Sequence, residues 1–207
     1  VHHPNPLEGD KIAQVVRENK STVLLATPTF LLTYIRRAKQ EDFTSLRAVI
    51  TGAEKLRRGT AELFEKKFKI APLEGYGVSE LSPAVSVNIP DVNMGGVLQL
   101  GTKPGTIGQA IPGVAVKVVG SDGTTPLPPG EEGLLCVRGP NVMIGYLNKP
   151  DKTADVIRNG WYETGDIAKI DDDGFITITD RASRFSKLGC EMVPHVAIEE
   201  AYLKALN

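Results

Sequence analysis

Short apolar runs alternate with amphipathic stretches along the first 80 residues, and this alternation restricts the possible folds more than any other feature. The runs TVLLA (22–26) and RAVIT (47–51) have the length of buried strands, and a third apolar segment leads to Leu73. Strands that alternate with helices pair in parallel through right-handed crossovers. Residues 1–82 are therefore predicted to form a parallel α/β subdomain that binds ligands beyond the carboxyl ends of its strands.

The composition changes near Leu81, after which Gly and Pro are frequent and the apolar runs are short and alternating. Strands are expected at 114–119, 134–138 and 167–170, and residues 88–105 are expected to form a mobile surface loop. This pattern predicts that residues 83–179 form a small, distorted, barrel-like β subdomain. The chain opens on VHHPNP and stops within the helical pattern IEEAYLKALN, so both ends are expected to be cuts through a longer protein.

The charge balance argues against nucleic acid as a partner, because 24 basic residues face 25 acidic ones. Cys136 and Cys190 have no metal-ligand spacing and are expected to be reduced thiols in a cytoplasmic protein. No run of 18 apolar residues and no signal peptide is visible, so this segment is not expected to span a membrane.

Two stretches that follow strands carry candidate ligand-binding groups. Gly52-Ala53-Glu54 is a turn after the second strand, and LEGYGVSE (73–80) follows the third. In the second stretch the ring of Tyr76 suits a purine, the hydroxyl of Ser79 suits a phosphate, and the carboxylate of Glu80 suits Mg²⁺. The alternative is an ordinary glycine-rich loop between two core segments.

A further pair of candidates lies in WYETGD (161–166) and TDR (179–181). A carboxylate at Asp166 can accept two hydrogen bonds from a vicinal diol such as that of ribose. A predicted hairpin, with a solvated turn at 171–174, returns Arg181 toward Asp166, so the two residues could bracket one ligand. A turn aspartate and a plain Asp–Arg ion pair are the competing interpretations.

Three motifs then occur in a fixed order: GYGVSE, YETGD, and a DR-containing segment before KLGCEMV. Together they resemble the adenylate-forming superfamily of acyl-CoA synthetases, luciferases and peptide-synthetase adenylation domains. The segments ATPTFL and RFSKLGCEMV look more closely like the acyl-ACP synthetase part of bifunctional acyl-ACP synthetase/2-acylglycerophosphoethanolamine acyltransferase proteins. This resemblance implies that residues 180–207 are a hinge and the truncated start of a C-terminal α+β domain.

The resemblance also implies a role for individual residues of the nucleotide, acyl and hinge sites. The implied roles are adenine contacts for Gly52, Ala53, Glu54 and Tyr76; an α-phosphate contact for Ser79; Mg²⁺ binding for Glu80; ribose contacts for Asp166 and Arg181; an apolar contact near the nucleoside for Ile178; room for the acyl group at Gly75 and Gly77; and the hinge for Asp180 and Ser183.

The implied reaction joins a carboxylic acid, expected to be a long-chain fatty acid, to ATP as acyl-AMP. The acyl group then passes to a phosphopantetheine thiol of acyl carrier protein, with CoA as the alternative acceptor. The departures from the family pattern at Asp180, Ser183 and Cys190 keep a catalytically inactive nucleotide-binding or scaffold module open. This chain alone is expected to be inactive, and its parent protein could associate with the cytoplasmic face of the inner membrane.

Overall fold

The computed structural model describes residues 3–181, 185–188, 191–194 and 201–202, with backbone only for 185–188 and 191–194. Contacts within the chain group it into two compact units, which are described separately. Unit 1 comprises Val1–Ser79 with Pro83–Gln109, and unit 2 comprises Glu80–Ser82 with Ala110–Asn207. The domain boundaries predicted from the sequence at residues 82 and 179 stay predictions.

Unit 1 is built from alternating strands and helices followed by a hairpin. Its elements are α1 (Gly9–Asn19), β1 (Val23–Ala26), α2 (Pro28–Arg37), β2 (Ala48–Thr51), α3 (Arg58–Phe68), β3 (Pro72–Gly77), β4 (Ala84–Val87), β5 (Val92–Met94) and β6 (Val97–Gln99), with a 3₁₀ turn at Gln40–Phe43. A second 3₁₀ turn, Ser79–Leu81, begins at the last residue of the first segment of unit 1 and continues into unit 2, and a two-residue strand β7 (Gln109–Ala110) lies at the other boundary.

The sheet of unit 1 has the order β1-β2-β3-β4-β7, with β1, β2 and β3 parallel and β4 antiparallel to β3. This arrangement confirms the predicted parallel α/β subdomain. The side chain of Thr27 accepts a hydrogen bond from Phe30 N at the start of α2, and Pro28 occupies the first helical position. Sequence reasoning placed Tyr76 in a loop, whereas it lies within β3, because pairing with β4 extends that strand to Gly77.

The three helices of unit 1 enclose a core that is rich in aromatic rings. Phe68 lies 4.7 Å from Phe43 and 4.6 Å from Phe64 between ring centroids, and Tyr34 contacts Phe43 edge to face. All four rings are buried. Residues 88–105, predicted to be a loop, instead contain the β5–β6 hairpin, which begins after the buried residue Asn88.

Unit 2 is mainly β-structure. Its elements are β8 (Ala115–Val119), β9 (Gly133–Arg138), α4 (Pro150–Val156), β10 (Ile157–Arg158), β11 (Trp161–Ile170), β12 (Ile176–Arg181), β13 (Phe185–Leu188) and β14 (Glu191–Pro194).

The main sheet of unit 2 is antiparallel and has the order β10-β11-β9-β8, with β12 also paired to β11. Within the described residues these strands form an open sheet, so the predicted distorted barrel is not closed. The turn at 171–174 is confirmed, since Asp171 Oδ1 accepts hydrogen bonds from Asp173 N and Phe175 N. The overall class, an α/β part followed by a β part, agrees with the prediction.

In the described part of the chain, we find no helix that combines the length and the apolar character needed to cross a bilayer.

Candidate functional site

A groove of about 940 Å³ in unit 1 brings together five of the residues predicted from the sequence. Its walls are mainly aliphatic side chains of α1 and β1, together with backbone and side chains at the carboxyl ends of the parallel strands. The predicted residues along it are Gly52, Ala53, Gly75, Tyr76 and Gly77. The groove therefore lies where parallel α/β sheets bind ligands.

Gly75 and Gly77 allow β4 to approach β3 at this edge of the groove. A Cβ atom at Gly77 would lie 2.0 Å from the carbonyl oxygen of Pro83, and one at Gly75 would lie 3.1 Å from the carbonyl oxygen of Ser86. The register of the pair shifts between Tyr76 and Gly77, so the two backbones are closest there. The glycines are thus required by the backbone packing, and their role in making room for an acyl group stays a prediction.

The turn after β2 is held in an unusual backbone conformation. Ala53 has φ of 69°, which is uncommon for a residue with a Cβ atom. On one side of it, Glu54 Oε2 accepts a hydrogen bond of 2.6 Å from the Thr29 hydroxyl. On the other, Leu56 N donates a bond of 3.1 Å to Glu74 Oε1, and burial raises the pKa of Glu74. These two bonds fix the turn beside the groove.

Glu80 is a half-buried carboxylate of unit 2 with a defined partner. Tyr146 donates its hydroxyl to Glu80 Oε1 at 2.9 Å, and Met143 N donates to the Glu80 carbonyl oxygen at 2.8 Å. Ser79, the predicted phosphate contact, is exposed at the start of the same 3₁₀ turn.

Asp166 and Arg181 face each other across β11 and β12, as the predicted hairpin requires. Arg181 Nε donates a hydrogen bond of 2.9 Å to Asp166 Oδ1. The Asp166 side chain is 5% exposed and that of Arg181 is 59% exposed, so the pair lies at the surface of the sheet. An ion pair is therefore present, which was one of the two interpretations, and the ribose contact stays a prediction.

Thr164 fixes the backbone that carries Asp166. Its hydroxyl accepts a hydrogen bond of 3.0 Å from Asp166 N and donates one of 2.9 Å to the carbonyl oxygen of Leu135. Gly165 between them has φ of 75°, and the register of β11 with β9 is interrupted at this point. The irregularity turns the strand, and the threonine hydroxyl supplies the hydrogen bonds that the ladder lacks there.

The remaining predicted residues lie along β12 and beyond it. Ile178 is half-buried opposite Ala168. Asp180 is 7% exposed and its Oδ1 accepts a hydrogen bond of 2.7 Å from Arg181 N. Ser183, and likewise the hinge departure Cys190, lie outside the described residues.

The carboxylate of Glu80 fits a magnesium ion that is shared with a nucleotide. Among the described residues there is no cluster of three or more His, Cys, Asp or Glu side chains that could hold a metal without help. Mg²⁺ commonly takes only one or two protein carboxylates and completes its shell with phosphates and water. A single acidic residue in this position is consistent with that mode of binding.

Sequence reasoning missed Tyr146, Thr29 and Thr164 as residues that support the site. Each acts by a side-chain hydrogen bond to a predicted residue or its backbone. The dipeptide Gly145-Tyr146 between two strands is the one local signal for Tyr146, since a tyrosine in a polar loop needs a partner for its hydroxyl. The identity of that partner, 66 residues away, has no local signal.

Comparison with known protein families gives a match over residues 1–147 to the AMP-binding enzyme family. The chain belongs to this family. Its relatives include the long-chain-fatty-acid–CoA ligase of Escherichia coli O6:H1, which is 41% identical over 143 residues, or 69% of this chain and 24% of the relative. The probable 4-coumarate–CoA ligase 1 of Dictyostelium discoideum is 31% identical over 198 residues, or 93% of this chain and 34% of the relative.

Solved structures of this family agree with the fold. ATP-bound MatB from Rhodopseudomonas palustris matches with a TM-score of 0.78 and 31% identity, covering 90% of this chain and 36% of that protein. The chain thus spans about a quarter of the length of its long-chain-fatty-acid–CoA ligase relatives. The recognition of an adenylate-forming enzyme from three short motifs is confirmed.

Proposed function

We propose that the protein containing this chain is an acid–thiol ligase that activates a carboxylic acid with ATP. The observation that carries the proposal is the pair of supported carboxylates in unit 2 of an AMP-binding family member. Glu80 is oriented by Tyr146, and Asp166 is oriented by Arg181 and Thr164. The carboxylic acid would attack the α-phosphorus of ATP, forming acyl-AMP and releasing pyrophosphate, and a thiol would then take the acyl group and release AMP.

The predicted nucleotide contacts are proposed residue by residue. In unit 1, the Gly52-Ala53-Glu54 turn and the Tyr76 ring would contact adenine, and in unit 2 Asp166 would accept hydrogen bonds from the ribose hydroxyls. Burial favours this role, because a hydrogen bond to a largely desolvated carboxylate is stronger than one in water. Arg181 would keep Asp166 oriented, Ile178 would make an apolar contact with the nucleoside, and Ser79 would contact the α-phosphate.

Glu80 would hold the magnesium ion, which when bound neutralises charge on the phosphates of ATP. The reaction needs no covalent residue of the protein, because an in-line displacement is accelerated chiefly by positioning and charge neutralisation. Asp180 and Ser183 would form the hinge before the C-terminal domain that the resemblance implies.

A long-chain fatty acid is the proposed substrate. The groove of about 940 Å³ lies at the upper end of the usual range of roughly 300–1,000 Å³ for small-molecule pockets, and its walls are mostly apolar. The names of the Escherichia coli relatives support the same substrate class. Gly75 and Gly77 would border the acyl group beside Tyr76.

The proposed acceptor is a phosphopantetheine thiol. The resemblance of ATPTFL and RFSKLGCEMV points to acyl carrier protein, whereas the relatives are named as ligases of CoA. Incubation of the full-length protein with ATP, radiolabelled palmitate, and either CoA or holo-acyl carrier protein separates these acceptors by the labelled thioester that forms.

Calorimetric titration with AMP tests the nucleotide site. Asp166→Asn keeps the shape of the side chain but removes its charge, and we expect AMP affinity to fall about 10- to 100-fold, the size of a lost charge-assisted hydrogen bond. Asp172→Asn, in the exposed turn before β12, is the matched control and should bind AMP like the wild type. Equal affinity in Asp166→Asn and wild type would contradict the proposed ribose contact.

Exchange of labelled pyrophosphate into ATP by the full-length protein tests catalysis. We expect exchange that depends on the fatty acid and on Mg²⁺. Normal AMP binding without any exchange would instead favour the scaffold alternative that the departures at Asp180, Ser183 and Cys190 left open.

A further inference from the structure

The turn that carries Glu80 is hydrogen-bonded to the loop at residues 141–146, which follows β9. Asn141 Nδ2 donates a hydrogen bond of 3.1 Å to the carbonyl oxygen of Leu81, and Met143 N donates one of 2.8 Å to the carbonyl oxygen of Glu80. The third bond, from the Tyr146 hydroxyl to Glu80 Oε1, is 2.9 Å long. Two bonds therefore fix the backbone of the turn, and one fixes the carboxylate.

The backbone of Tyr146 is itself anchored to helix α4. Tyr146 N donates a hydrogen bond of 2.9 Å to Thr153 Oγ1, which donates in turn to the carbonyl oxygen of Lys149. Gly145 lies so close to Thr153 that a Cβ atom there would be 2.9 Å from its side chain. The backbone of Tyr146 is thus held by α4 through contacts that do not involve its bond to Glu80.

A donor whose backbone is held in place fixes a flexible carboxylate. A glutamate side chain has three rotatable bonds, and restricting them before the cation arrives removes part of the entropy cost of binding. A charge-assisted O–H···O⁻ bond is strong. With Oε1 occupied by the tyrosine, Oε2 is the oxygen that would point to a cation.

We propose that Tyr146 is a positioning residue that holds the Glu80 carboxylate in place for the divalent cation of the bound nucleotide. This inference rests on the proposed function, because it assumes that Glu80 binds the cation with ATP. Partners that orient a metal-binding carboxylate typically affect metal affinity about 10- to 100-fold when removed.

Binding of Mn²⁺, which replaces Mg²⁺ and is visible by electron paramagnetic resonance, tests the proposal on the full-length protein with saturating ATP. In Tyr146→Phe we expect Mn²⁺ affinity to fall about tenfold, with AMP affinity in metal-free buffer unchanged within twofold.

Tyr202→Phe is the control, because it removes the hydroxyl of an exposed tyrosine that lies outside the groove and does not contact Glu80 among the described hydrogen bonds. It should leave Mn²⁺ and AMP binding as in the wild type. Unchanged Mn²⁺ affinity in Tyr146→Phe, or an equal loss of AMP and Mn²⁺ binding in that variant, would overturn the positioning role. A wild-type protein that binds no AMP and no Mn²⁺–ATP would overturn the proposed function itself, and the inference with it.

Discussion

The groove of unit 1 and the two carboxylates of unit 2, Glu80 and Asp166, are stabilised in opposite ways. At the groove, two backbones approach closely because the residues there are glycines, which have no side chain. At Gly77, a Cβ atom would lie 2.0 Å from the carbonyl oxygen of Pro83. In unit 2, the carboxylates of Glu80 and Asp166 are placed by side chains that are present and donate hydrogen bonds to them. Substitutions that add atoms should therefore destabilise the groove of unit 1, and substitutions that remove polar groups should destabilise the region around the carboxylates of unit 2.

The largest effect is expected when an atom is added at the groove. In Gly77→Ala the new methyl group cannot be accommodated unless β3 and β4 separate, because its nearest neighbours are backbone atoms of Pro83. We expect the free energy of unfolding, measured by urea denaturation, to fall by about 3 kcal/mol, the upper part of the usual range for overpacking.

Gly59→Ala is the control for this substitution. Gly59 lies near the start of α3, and a Cβ atom there would meet nothing within 4 Å. Alanine should raise stability by up to about 0.5–1 kcal/mol, because it loses less conformational freedom than glycine in a helix. Similar destabilisation by both substitutions would remove the contrast between the two regions.

The pH dependence of stability tests the environment of a buried thiol in unit 2. Cys136 lies on β9 between Lys117 and Glu163 on the neighbouring strands. Burial, and then the charge of Glu163, raise the pKa of this thiol from 9.0 to about 11. A raised folded-state pKa gives stability that is complete below the unfolded value and is lost as the pH rises through the folded one.

We therefore expect the free energy of unfolding to fall by about 2 kcal/mol more in the wild type than in Cys136→Val between pH 9 and pH 11. Urea denaturation at several pH values measures this difference, and below pH 8 the two proteins should keep a constant offset. If the free energies of unfolding of the two proteins changed in parallel over the whole pH range, burial in the sheet would not raise the pKa of the Cys136 thiol.

The smallest effect is expected when the hydroxyl of Thr164, which accepts a hydrogen bond from Asp166 N, is removed. In Thr164→Val, Asp166 N and the carbonyl oxygen of Leu135 both lose their hydrogen bond to the Thr164 hydroxyl while the shape of the side chain is kept. We expect a loss of about 1–2 kcal/mol in urea denaturation, the usual size for buried groups left without a hydrogen bond. Thr177→Val, on the half-exposed part of β12, should change stability by less than about 0.5 kcal/mol. Equal effects of the two substitutions would mean that the hydroxyl of Thr164 is not needed.

Parts of the site could be predicted because they depend on local patterns. The alternation of apolar runs predicted the parallel order of β1, β2 and β3, and the turn at 171–174 predicted that Arg181 returns to Asp166. Such features involve neighbours in the chain, whose periodicity and turn residues can be read directly. The extension of β3 through Tyr76 was missed, because it depends on pairing with β4 beyond an intervening turn.

The sequence by itself determined the family, the element order and the chemical types of the candidate groups, because each is written in short runs of neighbouring residues. Only the tertiary structure decided that the Glu80 carboxylate meets the Tyr146 hydroxyl and that the strands of unit 2 form an open sheet. A hydrogen bond between residues 66 positions apart is selected by the packing of whole elements, and no local pattern encodes which donor will reach which acceptor.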